Sequence, residues 1–199
     1  MLGELKRVYK AGLEQYPTPT HVAAHLVWIT SLKGAIKGLT VSDFGCGNGI
    51  LAVASLIAGS SRAICVEIDE ELVTQATEMV TEYYREVLHK VIFVVGDATS
   101  IELNNVDTVI MNPPFGVSRR RRGVDLAFLE NALKNAHNVY SIHKYSEGFF
   151  RAVEKRLRGK FNFVVKWLEV LNLEIPMIYE RHRRRVYRIK ALLLGLTKY

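Results

Sequence analysis

The sequence predicts an α/β fold built on a mostly parallel β-sheet. Short apolar runs alternate along the chain with stretches whose apolar residues recur at helical spacing. Such alternation is typical of βαβ units, in which crossover helices cover both faces of a parallel sheet. The length of 199 residues suits one domain, and we find no internal repeat, low-complexity tract or linker.

The predicted elements begin with an N-terminal helical extension, residues 1–38, and continue into the sheet domain, residues 39–199. Apolar residues from Leu2 to Tyr16 have helical spacing that stops at Pro17, and a second helix starts near Pro19 and ends near Leu32. Seven strand-like runs follow, at residues 40–44, 63–66, 91–95, 106–111, 139–142, 161–171 and 186–194. The intervening helices are expected at residues 50–58, 72–87, 126–138 and 149–157.

Charge is unevenly distributed, which suggests a polyanionic partner. Residues 151–199 hold 13 Lys and Arg against four acidic residues, whereas residues 1–150 hold 14 against 16. A basic quarter on a near-neutral body favours nucleic acid as the partner, although solvated basic residues also simply keep proteins soluble.

The composition indicates a folded chain in the cytoplasm. The apolar fraction of 49% excludes a disordered chain, and no run approaches the roughly 18 apolar residues of a membrane span. The N-terminus lacks the pattern of a secretory signal. The two cysteines, Cys46 and Cys65, form neither a disulfide framework nor a zinc site, so we expect reduced thiols and no metal; a single bridge between them is the alternative.

A glycine-rich loop follows the first predicted strand and opens a helix. It reads Asp-Phe-Gly-Cys-Gly-Asn-Gly from Asp43 to Gly49, and glycines there let the backbone approach a ligand closely. The third glycine comes one residue too early for a dinucleotide fingerprint, and the Gly-Lys-Ser/Thr of a triphosphate loop is missing. The pattern resembles motif I of class I S-adenosylmethionine-dependent methyltransferases. That resemblance implies a Rossmann-like, seven-stranded sheet and S-adenosylmethionine as cofactor, with Gly45, Gly47 and the cation-compatible carboxylate of Asp43 beside its methionine end.

Two more acidic residues stand at predicted strand ends. Glu67 closes the second strand, 20 residues after Gly47, where a carboxylate accepts hydrogen bonds from both ribose hydroxyls. Asp69 is its competitor, but it precedes a helix and is better placed as an N-cap. Asp97 and Ala98 follow the third strand and resemble the motif that reads the cofactor's adenine; a lone Asp there is otherwise a turn residue.

The tetrapeptide Asn112-Pro113-Pro114-Phe115 follows the fourth strand and resembles motif IV of methyltransferases that modify exocyclic amines. The amine of adenine is a poor nucleophile, because its lone pair is delocalised into the ring. Acceptors on its two hydrogens, the Asn112 side-chain oxygen and the Pro113 carbonyl, would favour a pyramidal nitrogen and hold it in position. Pro114 helps to stiffen the loop, and Phe115 offers a ring face for a base swung out of its stack.

Longer stretches are similar to one narrower group, the archaeal and eukaryotic enzymes that make N6-methyladenosine in small-subunit ribosomal RNA. The matching stretches are Glu-Gln-Tyr-Pro-Thr at 14–18, Asn-Pro-Pro-Phe-Gly at 112–116, residues 123–129, Tyr-Ser-Ile-His-Lys at 140–144 and the basic run at 181–185. The similarity implies that the extension closes over the cofactor through Gln15 and Thr18, and that Asn48, Ile50 and Asn112 line the cofactor. It also implies a small zinc-ribbon activator protein as a possible partner, since eukaryotic members of the group work with one.

Basic residues flank the predicted catalytic edge. Residues expected to hold RNA phosphates are Arg119, Arg120, Arg121, Arg122, Lys144, Arg181, Arg183, Arg184 and Arg185. The alternative is that these basic residues are only solvated surface residues. The nearby Asp125 is expected to serve only as the N-cap of the helix at residues 126–138.

Other functions remain open at this point. A protein glutamine amide is a second acceptor, although release-factor methyltransferases carry Asn-Pro-Pro-Tyr and a separate N-terminal substrate domain. DNA adenine is a third acceptor. A silent RNA-binding scaffold for ribosome assembly is the non-enzymatic alternative. The intact loop and tetrapeptide favour an RNA N6-adenine methyltransferase.

Overall fold

The computed structural model describes residues 18–115, 123–176 and 186–199. These residues form one seven-stranded sheet with the strand order β3-β2-β1-β4-β5-β7-β6. Strands β1 to β5 pair in parallel, and β7 runs antiparallel between β5 and β6. The predicted seven-stranded, mostly parallel sheet with a Rossmann-like order is therefore confirmed.

The described elements lie close to their predicted positions, and the helix predicted from Leu2 to Tyr16 lies outside the described residues. The strands are β1 (Thr40–Phe44), β2 (Arg62–Glu67), β3 (Val91–Val95), β4 (Thr108–Met111), β5 (Asn138–Lys144), β6 (Phe163–Pro176) and β7 (Val186–Lys198). The helices are α1 (Thr20–Leu32), α2 (Ile50–Ile57), α3 (Glu70–Tyr83), α4 (Val124–Asn135) and α5 (Glu147–Ala152), the last continuing as a π-helical turn through Val153–Leu157.

Helices cover both faces of the sheet and bury two main core clusters. On one face, α4 and α5 pack Leu129, Leu133 and Phe149 against alternate residues of β4 and β5. On the other face, α1 and α2 pack Leu26 and Leu51 against the remaining residues of the same strands. The period of two along each strand sends successive side chains to opposite cores, which explains why these strands are apolar throughout.

The β6–β7 hairpin extends beyond its neighbours at one edge of the sheet. β5 ends at Lys144, opposite Ala191, whereas the pairing of β6 with β7 continues to Pro176 opposite Val186. Because β6 lies parallel to β5, this extension projects past the edge where the parallel strands end. The predicted basic residues 181–185 stand between the two strands in sequence and lie outside the described residues.

Candidate active site

The carboxyl ends of the five parallel strands, β1 to β5, meet at one edge of the sheet. Phe44 lies opposite both Val66 and Met111, and Met111 lies opposite Ser141. Ligands bind at this edge in open α/β sheets. The predicted site residues at or just after these ends are Asp43, Gly45, Gly47, Asn48, Glu67, Asp97, Ala98, Asn112, Pro113, Pro114 and Phe115.

The glycine loop adopts a conformation that favours glycine. Gly45, Gly47 and Gly49 have φ angles of 70°, 52° and 75°, in the left-handed region. A Cβ on Gly45 would stand 3.0 Å from the ring of Phe128 on α4, whereas a Cβ on Gly47 would have no atom within 4 Å. The loop is therefore packed against α4 at Gly45 and has open space beside Gly47.

Strand β2 holds the glycine loop at consecutive residues. The amides of Gly45 and Cys46 both donate to the carbonyl of Val66, at 2.8 and 3.0 Å, and the amide of Gly47 donates to Oε2 of Glu67 at 3.0 Å. A disulfide joins Cys46 to Cys65, whose Cα atoms are 5.4 Å apart. The expectation of two reduced thiols is wrong, because the glycine loop turns back onto β2 after Phe44 and brings Cys46 within bridging distance of Cys65.

Glu67 is fixed by backbone amides. Its Oε1 accepts hydrogen bonds from the amides of Ile68 and Asp69, at 3.0 and 3.1 Å, in addition to the bond from Gly47. Burial raises the pKa of this carboxyl group, while the amide donors oppose the rise. Asp69 caps α3 by accepting from the amide of Glu71, as predicted.

Asp43 carries a buried oxygen that has no hydrogen-bond partner. Its Oδ2 accepts from the amide of Ala52 at 3.1 Å, but its Oδ1 is unpartnered. Burial raises the pKa of Asp43 to about 8, the Ala52 amide lowers it, and the nearby charge of Glu67 raises it further. Two buried acids beside one loop make this part of the site suited to a cationic ligand.

The remaining predicted cofactor residues shape two turns. The Asn48 side chain accepts from the amide of Ile50, the first residue of α2, at 3.2 Å. Asp97 is exposed and its Oδ1 accepts from the amide and hydroxyl of Thr99, at 2.8 and 2.7 Å. Ala98 is buried. Asp97 thus also forms the turn that its sequence position allowed.

Asn112 presents an unpartnered acceptor. Its side-chain Nδ2 donates to the hydroxyl of Thr18 at 3.0 Å, and its buried Oδ1 has no partner. Pro113 is buried, and the half-buried Phe115 packs against the core cluster on the α1 face of the sheet. Thr18, which was expected to line the cofactor, thus accepts a hydrogen bond from the side chain of Asn112, the predicted catalytic residue.

The last two residues of β5, His143 and Lys144, differ in solvent exposure. Lys144 is exposed, while His143 is fully buried, stacks on Phe149 with ring centroids 4.2 Å apart and hydrogen-bonds Ser141 at 2.8 Å. Burial lowers the pKa of His143 to about 3, so the imidazole is neutral. His143 is therefore not part of a solvated strand end.

Asp125 does not cap α4. Gly123 takes the N-cap position with a left-handed φ of 82°, and Asp125 lies within the first turn, where it accepts from the amide of Leu126 at 2.9 Å. The prediction failed because the helix begins two residues earlier than its apolar pattern. Gln15, Arg119, Arg120, Arg121, Arg122, Arg181, Arg183, Arg184 and Arg185 lie outside the described residues.

Sequence reasoning missed the contacts that α4 makes with the site. Phe128 packs beside Gly45, and Asn131 and Asn135 bond the segment that follows Asp97. A signal was available, since two asparagines one turn apart interrupt an otherwise apolar helix face.

Comparison with known proteins identifies the family. The family model for the methyltransferase small domain matches residues 23–159. The chain belongs to this family. It is a methyltransferase, and structures of other methyltransferases share its fold. One of them, the magnesium protoporphyrin IX methyltransferase of Synechocystis PCC 6803 with bound S-adenosylmethionine, has a TM-score of 0.65 at 17% identity over 90% of this chain and 79% of its own.

More similar relatives cover nearly the whole methyltransferase. The rRNA N(6)-adenosine-methyltransferase Mettl5 of Drosophila melanogaster is 34% identical, over 88% of this chain and 82% of its own. The uncharacterized protein MJ0284 of Methanocaldococcus jannaschii is 33% identical, over 100% of this chain and 91% of its own. The crystal structure of PH1948 from Pyrococcus horikoshii, a candidate RNA methyltransferase, superposes with a TM-score of 0.85 at 35% identity, over 99% of this chain and 95% of its own.

The described residues hold neither a candidate metal cluster nor a candidate membrane span. No group of three or more His, Cys, Asp or Glu within residues 18–115, 123–176 and 186–199 could hold a metal ion. No helix in these ranges is long and apolar enough to cross a membrane.

Proposed function

We propose that this methyltransferase transfers a methyl group from S-adenosylmethionine to the N6 amine of an adenosine in small-subunit ribosomal RNA. The observation that carries the proposal is the side chain of Asn112, whose Nδ2 is bonded to Thr18 while its buried Oδ1 has no partner. An unpartnered buried acceptor costs free energy, on the order of 1–3 kcal/mol, that a ligand's N–H group would recover. An exocyclic amine is such a ligand.

The glycine loop fits S-adenosylmethionine. When bound, this cofactor supplies a methyl group on a positively charged sulfur. The unpartnered Oδ1 of Asp43 is available to the ammonium of its methionine end, and the space beside Gly47 admits a ligand against the backbone. Asn48 and Ile50 would line the same end, Glu67 the ribose, and Asp97 with Ala98 the adenine. Thr18 and Gln15 of the N-terminal extension, residues 1–38, would cover it.

Catalysis on this scheme consists mainly of positioning. Asn112 Oδ1 and the Pro113 carbonyl would accept the two hydrogens of the amine, so that its lone pair faces the methyl group. Pro113 and Pro114 restrict the loop that carries these acceptors. Phe115 would stack on the target base from its place against the core.

Ribosomal RNA is favoured as the substrate by the relatives and by charge. The Drosophila relative is named an rRNA N(6)-adenosine-methyltransferase, and a substrate of this kind agrees with a cytoplasmic location. The exposed Lys144 and the arginines at 119–122, 181 and 183–185 would hold phosphates around the target. Neutralising Arg183, Arg184 and Arg185 should weaken RNA binding and flatten its salt dependence without changing cofactor affinity.

A small zinc-ribbon activator protein is proposed as a partner. The support is the group resemblance together with strand β3, which in the described structure pairs only with β2 and leaves Ile92 and Val95 exposed. An open strand edge accepts a strand from a second protein. Co-purification of the two chains, lost when Ile92 is replaced by Lys, would test this partner.

Methyl transfer from labelled cofactor tests the function directly. The purified protein should label ribosomal RNA from a strain that lacks its gene, and digestion should release N6-methyladenosine. Ribosomal RNA from the parent strain, already methylated, is the matched control. Label found instead in glutamine of a ribosomal protein fraction or in DNA would replace the proposed acceptor. Tight RNA binding without cofactor binding would favour a scaffold.

A further inference from the structure

Helix α4 carries a buried amide on its apolar face. Asn131 is 2% exposed, in a helix that also buries Phe128 and Ala132 in the core cluster on the α4 side of the sheet. An asparagine at such a position destabilises the fold unless its polar atoms are paired. Its partners therefore indicate why the residue is there.

Both asparagines of α4 bond one loop. Asn131 Nδ2 donates to the carbonyls of Ala98 and Ile101, at 3.0 and 2.9 Å. Asn135 Nδ2 donates to the Ile101 carbonyl at 3.1 Å, and its Oδ1 accepts from the amide of Leu103 at 2.6 Å. The bonded residues are 30 to 34 positions apart in sequence, and the bonds fix the segment 98–103 to the helix.

Ala98 is consequently held on both sides. The carbonyl of Asp97, which shares a peptide plane with the Ala98 amide, accepts from the amides of Ser100 and Ile101 at 3.0 and 2.9 Å. The Ala98 carbonyl is held by Asn131. Because both flanking peptide planes are fixed, the direction of the Ala98 amide is fixed as well.

The same helix contacts the glycine loop. Phe128, one turn before Asn131, is the side chain that a Cβ on Gly45 would meet. One rigid element therefore backs the glycine loop and the segment after Asp97.

We propose that Asn131 is a positioning residue for the adenine subsite. By holding the carbonyls of both Ala98 and Ile101, it fixes the turn in which the Ala98 amide lies and keeps that amide directed at the purine ring. There an amide donor and the Asp97 acceptor together distinguish adenine from hypoxanthine. The inference rests on the proposed S-adenosylmethionine function, and it adds a determinant of purine selectivity that no motif in the sequence identifies.

Calorimetric binding of two ligands tests this role. S-adenosylhomocysteine carries adenine, whereas S-inosylhomocysteine carries hypoxanthine, whose N1–H and O6 mismatch both contacts. The parent should prefer the adenine ligand. In Asn131→Asp, which lacks both donors, and in Asn131→Ala, which avoids a buried carboxylate, adenine-ligand affinity should fall about tenfold and the preference should fall by a similar factor.

Thr108→Val provides the matched control. It removes a buried hydrogen bond of 2.7 Å, from the Thr108 hydroxyl to the Ala35 carbonyl, at the opposite end of β4. Its melting temperature should fall while its ligand preference stays at the parental value. A parental preference in both folded Asn131 variants would overturn the inference alone. Failure of the parent to bind S-adenosylhomocysteine would overturn the proposed function and the inference with it.

Discussion

The two halves of the candidate active site are organised differently. On the β1–β2 side, the amides of Gly45, Cys46 and Gly47 are all bonded to β2, and a disulfide adds a covalent link. On the β4 side, Asn112 is held by its bond to Thr18 and keeps an unpartnered acceptor. The glycine-loop side, proposed to hold the cofactor and here called the cofactor half, is fixed by β2 and the disulfide. The Asn112 side, proposed to hold the target and here called the target half, carries a buried acceptor without a partner.

Electrostatics separates the same two halves. Asp43 and Glu67 are buried acids beside the glycine loop, although the whole chain has a net charge of +7. The basic excess lies in the last quarter of the sequence, which includes the strands of the projecting hairpin. An acidic pocket within a basic protein suits a cationic cofactor and a polyanionic substrate meeting at one edge.

Removing the acceptor of the target half should have the largest effect. Asn112→Ala should reduce kcat by about 10³-fold, or about 4 kcal/mol of transition-state stabilisation, because the amine loses one of the groups that orient it. Affinity for S-adenosylmethionine should stay within several-fold of the parent, since the cofactor half is fixed independently. Single-turnover methylation and cofactor titration measure the two quantities. Full activity in the variant would contradict the proposed mechanism.

Reduction of the disulfide tests how much this covalent link in the cofactor half contributes to the stability of the fold. Cys46 and Cys65 are 19 residues apart, and a bridge closing a loop of this length contributes roughly 3 kcal/mol to folding. Urea unfolding with and without a dithiol should show that loss in the free energy of unfolding. The Cys46→Ala/Cys65→Ala variant should match the reduced parent and be insensitive to the dithiol. Two reactive thiols in the unreduced, denatured protein would rule out the bridge.

The fold was more predictable from the sequence than the side-chain contacts within the candidate site. The alternation of strands and helices was sufficient for the sheet, and residue types at strand ends were sufficient to bring Asp43, Glu67 and Asn112 to one edge. Contacts between segments distant in sequence were not predictable, such as Thr18 with Asn112 across 94 residues. Neither strand periodicity nor motif spacing specifies which side chains meet once the helices pack.

The pH dependence of cofactor binding probes the charge of Asp43. Its pKa of about 8 in the unliganded protein means that the carboxyl is mostly protonated at pH 6 and half ionised at pH 8. An ammonium binds the ionised form, so affinity should rise with pH, by up to about twentyfold (roughly 1.8 kcal/mol) between pH 6 and 8, since the cofactor's own α-amino group begins to lose its proton near pH 8. Asp43→Asn should bind weakly and without that rise. A flat profile in the parent would show that Asp43 does not meet the cofactor's cation.

The smallest predicted effect concerns the residue that orients Asn112. Thr18→Val has nearly the same shape but lacks the hydroxyl that accepts from Asn112 Nδ2, so the amide loses its fixed orientation and kcat should fall about tenfold. Thr18→Ser keeps the acceptor and should retain parental kcat. If Thr18 instead acts mainly on the cofactor, Thr18→Val would raise the KM for S-adenosylmethionine and leave kcat unchanged. The split between the two constants therefore decides whether the N-terminal segment serves the target half or the cofactor half of the site.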